Sequence, residues 1–106
     1  MTEPGPVPDV RLDLEGHRFV VDLDGAVAEL VYRREPGRLV LEHTRVPEQF
    51  GGRGIGSALV QAAVGQARAE RLTVVPWCPF ARWWLKQHPA VAESLTIDWT
   101  PPPVAA

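Results

Sequence analysis

The chain has 106 residues, of which 45% are hydrophobic and 23% charged, and a formal net charge of −2 at pH 7. This is the length of one domain with an ordinary globular composition, and the slightly acidic balance gives no reason to expect nucleic acid, whose binders usually carry a concentrated basic surface. No apolar run approaches the ~18 residues of a membrane span, and the lone cysteine, Cys78, excludes an intrachain disulfide framework and fits a reducing compartment, so the expected location is cytoplasmic.

The opening residues, Met1-Thr2-Glu3-Pro4-Gly5-Pro6, do not have the pattern of a signal peptide. Six of the eleven prolines sit near the ends, at Pro4, Pro6, Pro8, Pro101, Pro102 and Pro103. Residues 1–9 and 100–106 are therefore expected to be disordered tails around a single domain of residues 10–99. Within the domain, residues 17–23 alternate as a strand, and Asp24-Gly25 is a strong hairpin signal. Residues 26–33 return antiparallel, with Val27, Glu29, Val31 and Arg33 on one side and Ala28, Leu30 and Tyr32 on the other. A second turn at Glu35-Pro36-Gly37 leads to a third strand, 38–46, which Pro47 ends because it has no N–H for the ladder.

Residues 55–71 form the longest helix, with Ile55, Leu59, Ala63 and Ala67 as an apolar stripe widened by Val60 and Val64. A buried fourth strand, 72–75, follows this crossover and should run parallel to the third. Pro79 suits the first turn of a shorter helix that Pro89 stops near Gln87, and residues 96–99 are a candidate last strand. The fold class is α+β, with four to five mostly antiparallel strands and two helices after the initial meander. The meander's second face must be polar or be covered by a partner; its half-polar pattern favours solvent, and hence a monomer or a weak homodimer.

The segment Gly51-Gly52-Arg53-Gly54-Ile55-Gly56 joins the third strand to the long helix. A strand feeding a glycine-rich turn into a helix gathers free N–H groups at the positive end of the helix dipole, which suits a phosphate. A Walker loop is excluded because Gly56 is followed by Ser57 and Ala58 rather than Lys and Ser or Thr. A dinucleotide fingerprint is excluded because its third glycine would fall on Ser57 or Leu59. The remaining pattern, x-x-x-G-x-G opening an amphipathic helix, resembles the pyrophosphate-binding motif of the GCN5-related N-acetyltransferases (GNAT). The strings HTRVPEQFGGRGIGSALVQAAVGQAR and VVPWCPFARWWLKQHP resemble in particular the small YjdJ-type branch of that superfamily, over about residues 10–99.

The resemblance implies a compact GNAT-like fold with acetyl-CoA, or coenzyme A, held where two parallel strands splay apart. It implies that Val46 offers its backbone to the pantetheine arm, and that Gly51, Gly52, Arg53, Gly54, Ile55, Gly56 and Ser57 wrap the pyrophosphate. The family pattern has Gln or Arg where this chain has Gly51, and Arg53 is the available substitute. The implied activity is direct acetyl transfer to a small-molecule or peptide amine, with no nucleic acid, membrane or metal involved. The alternative is a non-catalytic CoA-binding or protein-interaction module that keeps the fold.

Such a transfer needs a base for the amine, donors for the oxyanion and an acid for the departing thiolate. His43 and Glu42, on opposite faces of the third strand, are the candidate bases, and His43 has the more suitable intrinsic acidity. Cys78, at a helix N-terminus beside the same region, is a candidate acid or acetyl acceptor. Many family members use a tyrosine on the following helix as the acid; the corresponding position here is Trp84, which has no suitable proton. Trp77, Phe80, Trp83 and Trp84 read first as core, with some able to line the acyl or acceptor slot.

Overall fold

One five-stranded sheet, in the order β1-β2-β3-β4-β5, organises the chain. The computed structural model describes residues 9–104; the parts of the expected tails at 1–8 and 105–106 lie outside the described residues. The strands are β1 (Arg11–Asp13), β2 (Arg18–Leu23), β3 (Ala26–Glu35), β4 (Arg38–Arg45) and β5 (Thr73–Pro76). The β1–β4 pairs are antiparallel and β4–β5 is parallel, as the crossover through α1 (Ile55–Glu70) requires. The remaining helices are α2 (Pro79–Gln87) and α3 (Pro89–Glu93).

Three differences from the sequence expectation concern these elements, the first being β1 itself, which pairs with β2 where no strand was expected. A third helix exists because Pro89, which ends α2, is itself well suited to the first turn of α3. Residues 96–99 make only one parallel bridge, Val74 to Ile97, because Val74 alone exchanges hydrogen bonds with Thr96 and Asp98. Residues 100–104 carry no regular element and are exposed. No described helix is long and apolar enough to cross a membrane.

The helices cover one sheet face. Phe19, Val21, Ala28, Leu30, Tyr32, Leu39 and Leu41 pack there against the anticipated stripe of α1 and against Ala81, Trp84 and Leu85 of α2. The opposite face is polar. Arg18 pairs with Asp13 and Glu29, Arg33 with Glu35 and Glu42, and Arg38 with Glu35 and Asp98. By register these charged residues share the face with Val20, Val40 and Val75, which are buried there without a second helical layer.

The register holds one irregularity that matters for the site. Val31 pairs with His43 and Tyr32 with Leu41, which leaves Glu42 as an extra residue in β4, a β-bulge. The slip reverses the alternation beyond it. Thr44, paired with Leu30, now faces the helices, while His43 and Arg45, paired with Val31 and Glu29, face the polar side. Glu42 reaches Arg33 on that polar side at 4.0 Å. The expectation that Glu42 and His43 occupy opposite faces is therefore corrected: the bulge gives both to the face away from the helices.

Candidate active site

Strand β5 pairs with β4 only from Arg38 to Leu41, whereas β3 accompanies β4 as far as Arg45. After Leu41, whose carbonyl accepts the N–H of Cys78, the two parallel strands part. One edge of β4 is thus left without a strand partner, as the end of a parallel pair must leave it when one chain turns into a helix. A groove of about 470 Å³ opens at this point.

Its floor is the end of β4, through Thr44 and Val46. One wall is the glycine turn with the start of α1, through Gly51, Gly52, Gly54, Ile55, Gly56 and Ser57. The other is aromatic: Phe80 and Trp83 of α2, their ring centroids 5.8 Å apart, with Phe50 from the 3-10 turn at Glu48–Phe50. Gly52 and Gly54 have φ of 78° and 75°, a left-handed backbone that a Cβ would strain. Gly56 is needed for a different reason, since a Cβ there would lie 2.9 Å from Cζ of Phe80.

The turn presents donors that no described residue uses. Among the described residues, the first backbone N–H of α1 with an acceptor is that of Ala58, bonded to the Gly54 carbonyl at 3.0 Å. Among the described residues, the N–H groups of residues 52–57 have no backbone acceptor, and no side chain caps the helix. Exposed or groove-lining N–H groups at a helix start, arranged around positive-φ glycines, form the donor set that a pyrophosphate takes. The groove thus fits the polyanionic end of coenzyme A, and its apolar walls of Val46, Ile55, Phe80 and Trp83 fit the less polar arm.

The residues singled out from sequence do not all share one place. Val46, Gly51, Gly52, Gly54, Ile55, Gly56 and Ser57 line the groove together. Arg53 lies in the same turn but is exposed, its guanidinium 5.3 Å from the Phe50 ring centroid. Cys78 is 2% exposed and sits behind the floor, its Sγ 3.1 Å from the Thr44 hydroxyl. His43 and Glu42 do not line the groove, for the register reason given above. Trp84 is buried, stacked on His88 at 3.9 Å, and its indole N–H has no partner among the described residues.

Thr44 and Phe50 were not singled out from sequence. The bulge that turns Thr44 inward leaves no mark in a two-residue alternation, and a three-residue 3-10 turn is too short to show a period. The His43-Thr44…Val46-Pro47 string was the available signal, since it brackets the end of the strand.

Comparison with known proteins agrees with this geometry. A family model described as GCN5-related N-acetyl-transferase matches residues 18–94. Protein NATD1 of Gallus gallus is 33% identical over 92 residues, covering 84% of each chain, and Protein NATD1 of Homo sapiens is 34% identical over 83 residues, covering 76% of this chain and 74% of that one. The solution structure of a GCN5-like putative N-acetyltransferase from Staphylococcus aureus superposes with a TM-score of 0.67 at 26% identity, over 88% of this chain and 93% of that one. With a splayed parallel pair, a glycine turn and a matching family model on the same residues, the chain belongs to the GCN5-related N-acetyltransferase family.

Proposed function

We propose that the groove binds acetyl-CoA and that the protein transfers the acetyl group directly to an amine. The observation that carries this reading is the run of unclaimed N–H groups at residues 52–57 on the rim of an apolar groove. Bound acetyl-CoA would supply an activated thioester, whose carbonyl is the electrophile. The N–H groups of Gly52 to Ser57 would hold the pyrophosphate. The free edge of β4 near Val46 would pair with the amides of the pantetheine arm, as an added strand does. Phe80 and Trp83 would exclude water from the arm.

Thr44 is then the polar side chain at the inner end of the groove, and its hydroxyl is hydrogen-bonded to the Cys78 thiol. The pair can deliver a proton to a departing thiolate, with Thr44 donating and Cys78 replenishing it. Burial of Cys78 favours this indirect part over covalent acceptance of the acetyl group, for which its sulfur would have to reach the carbonyl itself. His43 and Glu42 remain candidate bases only from the polar face, through the gap beside β4.

A second reading, a CoA-binding module without catalysis, is favoured by one observation: no described residue lining the groove is acidic, a histidine or a tyrosine. Thiol release decides between them. The transferase releases free CoA from acetyl-CoA faster when amines are added, and Thr44→Val slows that release more than it weakens acetyl-CoA binding. Stabilisation by acetyl-CoA without thiol release from a broad set of primary amines would support the binding module instead.

A further inference from the structure

A second concavity, of about 420 Å³, lies on the polar face behind the same strand end. Arg18, Val27, Glu29, Arg45 and Pro47 line it. Glu29 and Arg45 are cross-strand partners, so their side chains share this face, as does Arg18 opposite Val31. Pro47 follows Val46, which lines the groove, so only the end of β4 separates the two cavities.

The charges here are unequally satisfied. Arg18 is paired with two carboxylates, its Nε 2.9 Å from Asp13 and its Nη1 2.7 Å from Glu29. That contact also commits the pocket's one lining carboxylate. Among the described residues Arg45 has no carboxylate within 4 Å and makes no side-chain hydrogen bond. The pocket thus offers one unneutralised guanidinium beside the apolar surface of Val27 and Pro47. A guanidinium with a free donor fork matches a carboxylate.

We propose that this pocket binds the carboxylate of the acceptor, and that the acceptor is a small amino acid whose reacting nitrogen stands well away from that carboxylate. The proposal rests on the transferase reading. His43 is two residues before Arg45 on the same strand face, a separation of ~7 Å along a strand. A ligand whose carboxylate meets Arg45 therefore brings a nitrogen four or five bonds distant to His43 and the unpaired edge of β4. That edge has no strand partner beyond Leu41, and Thr44 and Val46, beside His43 in sequence, line the groove on the other face. Val31, opposite His43, flanks the intervening methylenes. Val27 and Pro47 lie beyond Arg45 and close the carboxylate end of the pocket, and Glu29, already held by Arg18, is kept from competing for Arg45.

The test uses three probes of one length: 5-aminopentanoate, its uncharged amide 5-aminopentanamide, and pentylamine. Each is titrated into the full chain saturated with acetyl-CoA, with backbone amide shifts and thiol release both recorded. The expected result is that 5-aminopentanoate shifts the amides of Val27, Glu29 and Arg45, binds at least tenfold tighter than the other two, and loses that advantage in Arg45→Gln. Equal binding of the three probes, shifts confined to other parts of the chain, or an undiminished preference in Arg45→Gln would overturn it. Thiol release that is independent of the carboxylate refutes the pocket and leaves the transferase reading standing. Carboxylate-dependent binding without thiol release from any probe refutes the acceptor assignment together with the transferase reading.

Discussion

Replacing Gly56 by alanine separates ligand binding from fold stability, because its two effects on folding oppose each other. Gly56 lies in the first turn of α1 and is not among the glycines of positive φ, so alanine fits the backbone. Helix propensity favours the substitution by ~1 kcal/mol. The new Cβ, however, falls 2.9 Å from Cζ and 3.0 Å from Cε1 of Phe80, so the ring must withdraw by ~0.5–1 Å to reach an ordinary carbon–carbon separation. Overpacking costs ~1–3 kcal/mol, and a half-buried ring that can swing belongs at the low end of that range. The terms nearly cancel, and the melting temperature should move by no more than ~5 °C. The groove does not escape, since Phe80 is its wall and rests against Trp83. Calorimetric titration should show CoA bound about fivefold to tenfold more weakly, a loss of ~1–1.4 kcal/mol. Adding Phe80→Leu removes the obstructing ring atoms, so Gly56→Ala should cost less affinity in that background than alone. Parental CoA affinity in a well-folded Gly56→Ala would refute the assignment of this wall to the ligand.

Three further outcomes are expected. Cys78 should resist alkylation in the native protein with or without acetyl-CoA, because it is buried; Cys78→Ser, which keeps a partner for Thr44, should retain more activity than Cys78→Ala, and rapid native-state labelling would contradict the packing described. Trp84→Phe removes a buried indole N–H that has no acceptor among the described residues, so its cost in chemical denaturation should stay below the ~3–5 kcal/mol of an aromatic truncation; a loss of that size would mean the N–H has a partner after all. Thermal stability should be level above pH 5 and fall as the pH drops from about 4.5 toward 2. Hydrogen bonds from Arg34 and Gln66 lower the Glu70 carboxyl to about 2, and those from Thr100 and Arg38 lower Asp98 to about 2. A depressed carboxylate stabilises the fold above its unfolded pKa and loses that contribution on acidification. A melting temperature unchanged down to pH 3 would refute these pairings.

The parts of the fold that show in the sequence are those with a local cause. Asp24-Gly25 and Pro36-Gly37 supply the positive φ that two tight hairpin turns require, and the spacing from Ile55 to Ala67 marks the buried stripe of α1. The glycine turn shows because Gly52 and Gly54 adopt a positive φ that side-chain-bearing residues rarely take. The bulge at Glu42 does not show, since it is decided by how β3 and β4 pair rather than by either strand alone, and it moves His43 away from the groove and Thr44 into it. The three-residue β1 is likewise fixed by pairing, with Arg11 opposite Val20 and its guanidinium on Asp22. Cys78 was legible as a helix-cap residue; its burial behind Thr44 depends on the splay of β4 from β5, which no spacing encodes.

The central claim is that unclaimed N–H groups of the glycine turn hold the phosphates of acetyl-CoA. Titration of acetyl-CoA into the isotopically labelled protein, followed through backbone amide resonances, tests it most directly. The account predicts that the largest shifts fall on Gly52, Arg53, Gly54, Ile55, Gly56 and Ser57, with smaller ones at Thr44 and Val46. Saturating acetyl-CoA that leaves the amides of residues 52–57 unmoved, or that shifts a different surface, would contradict it.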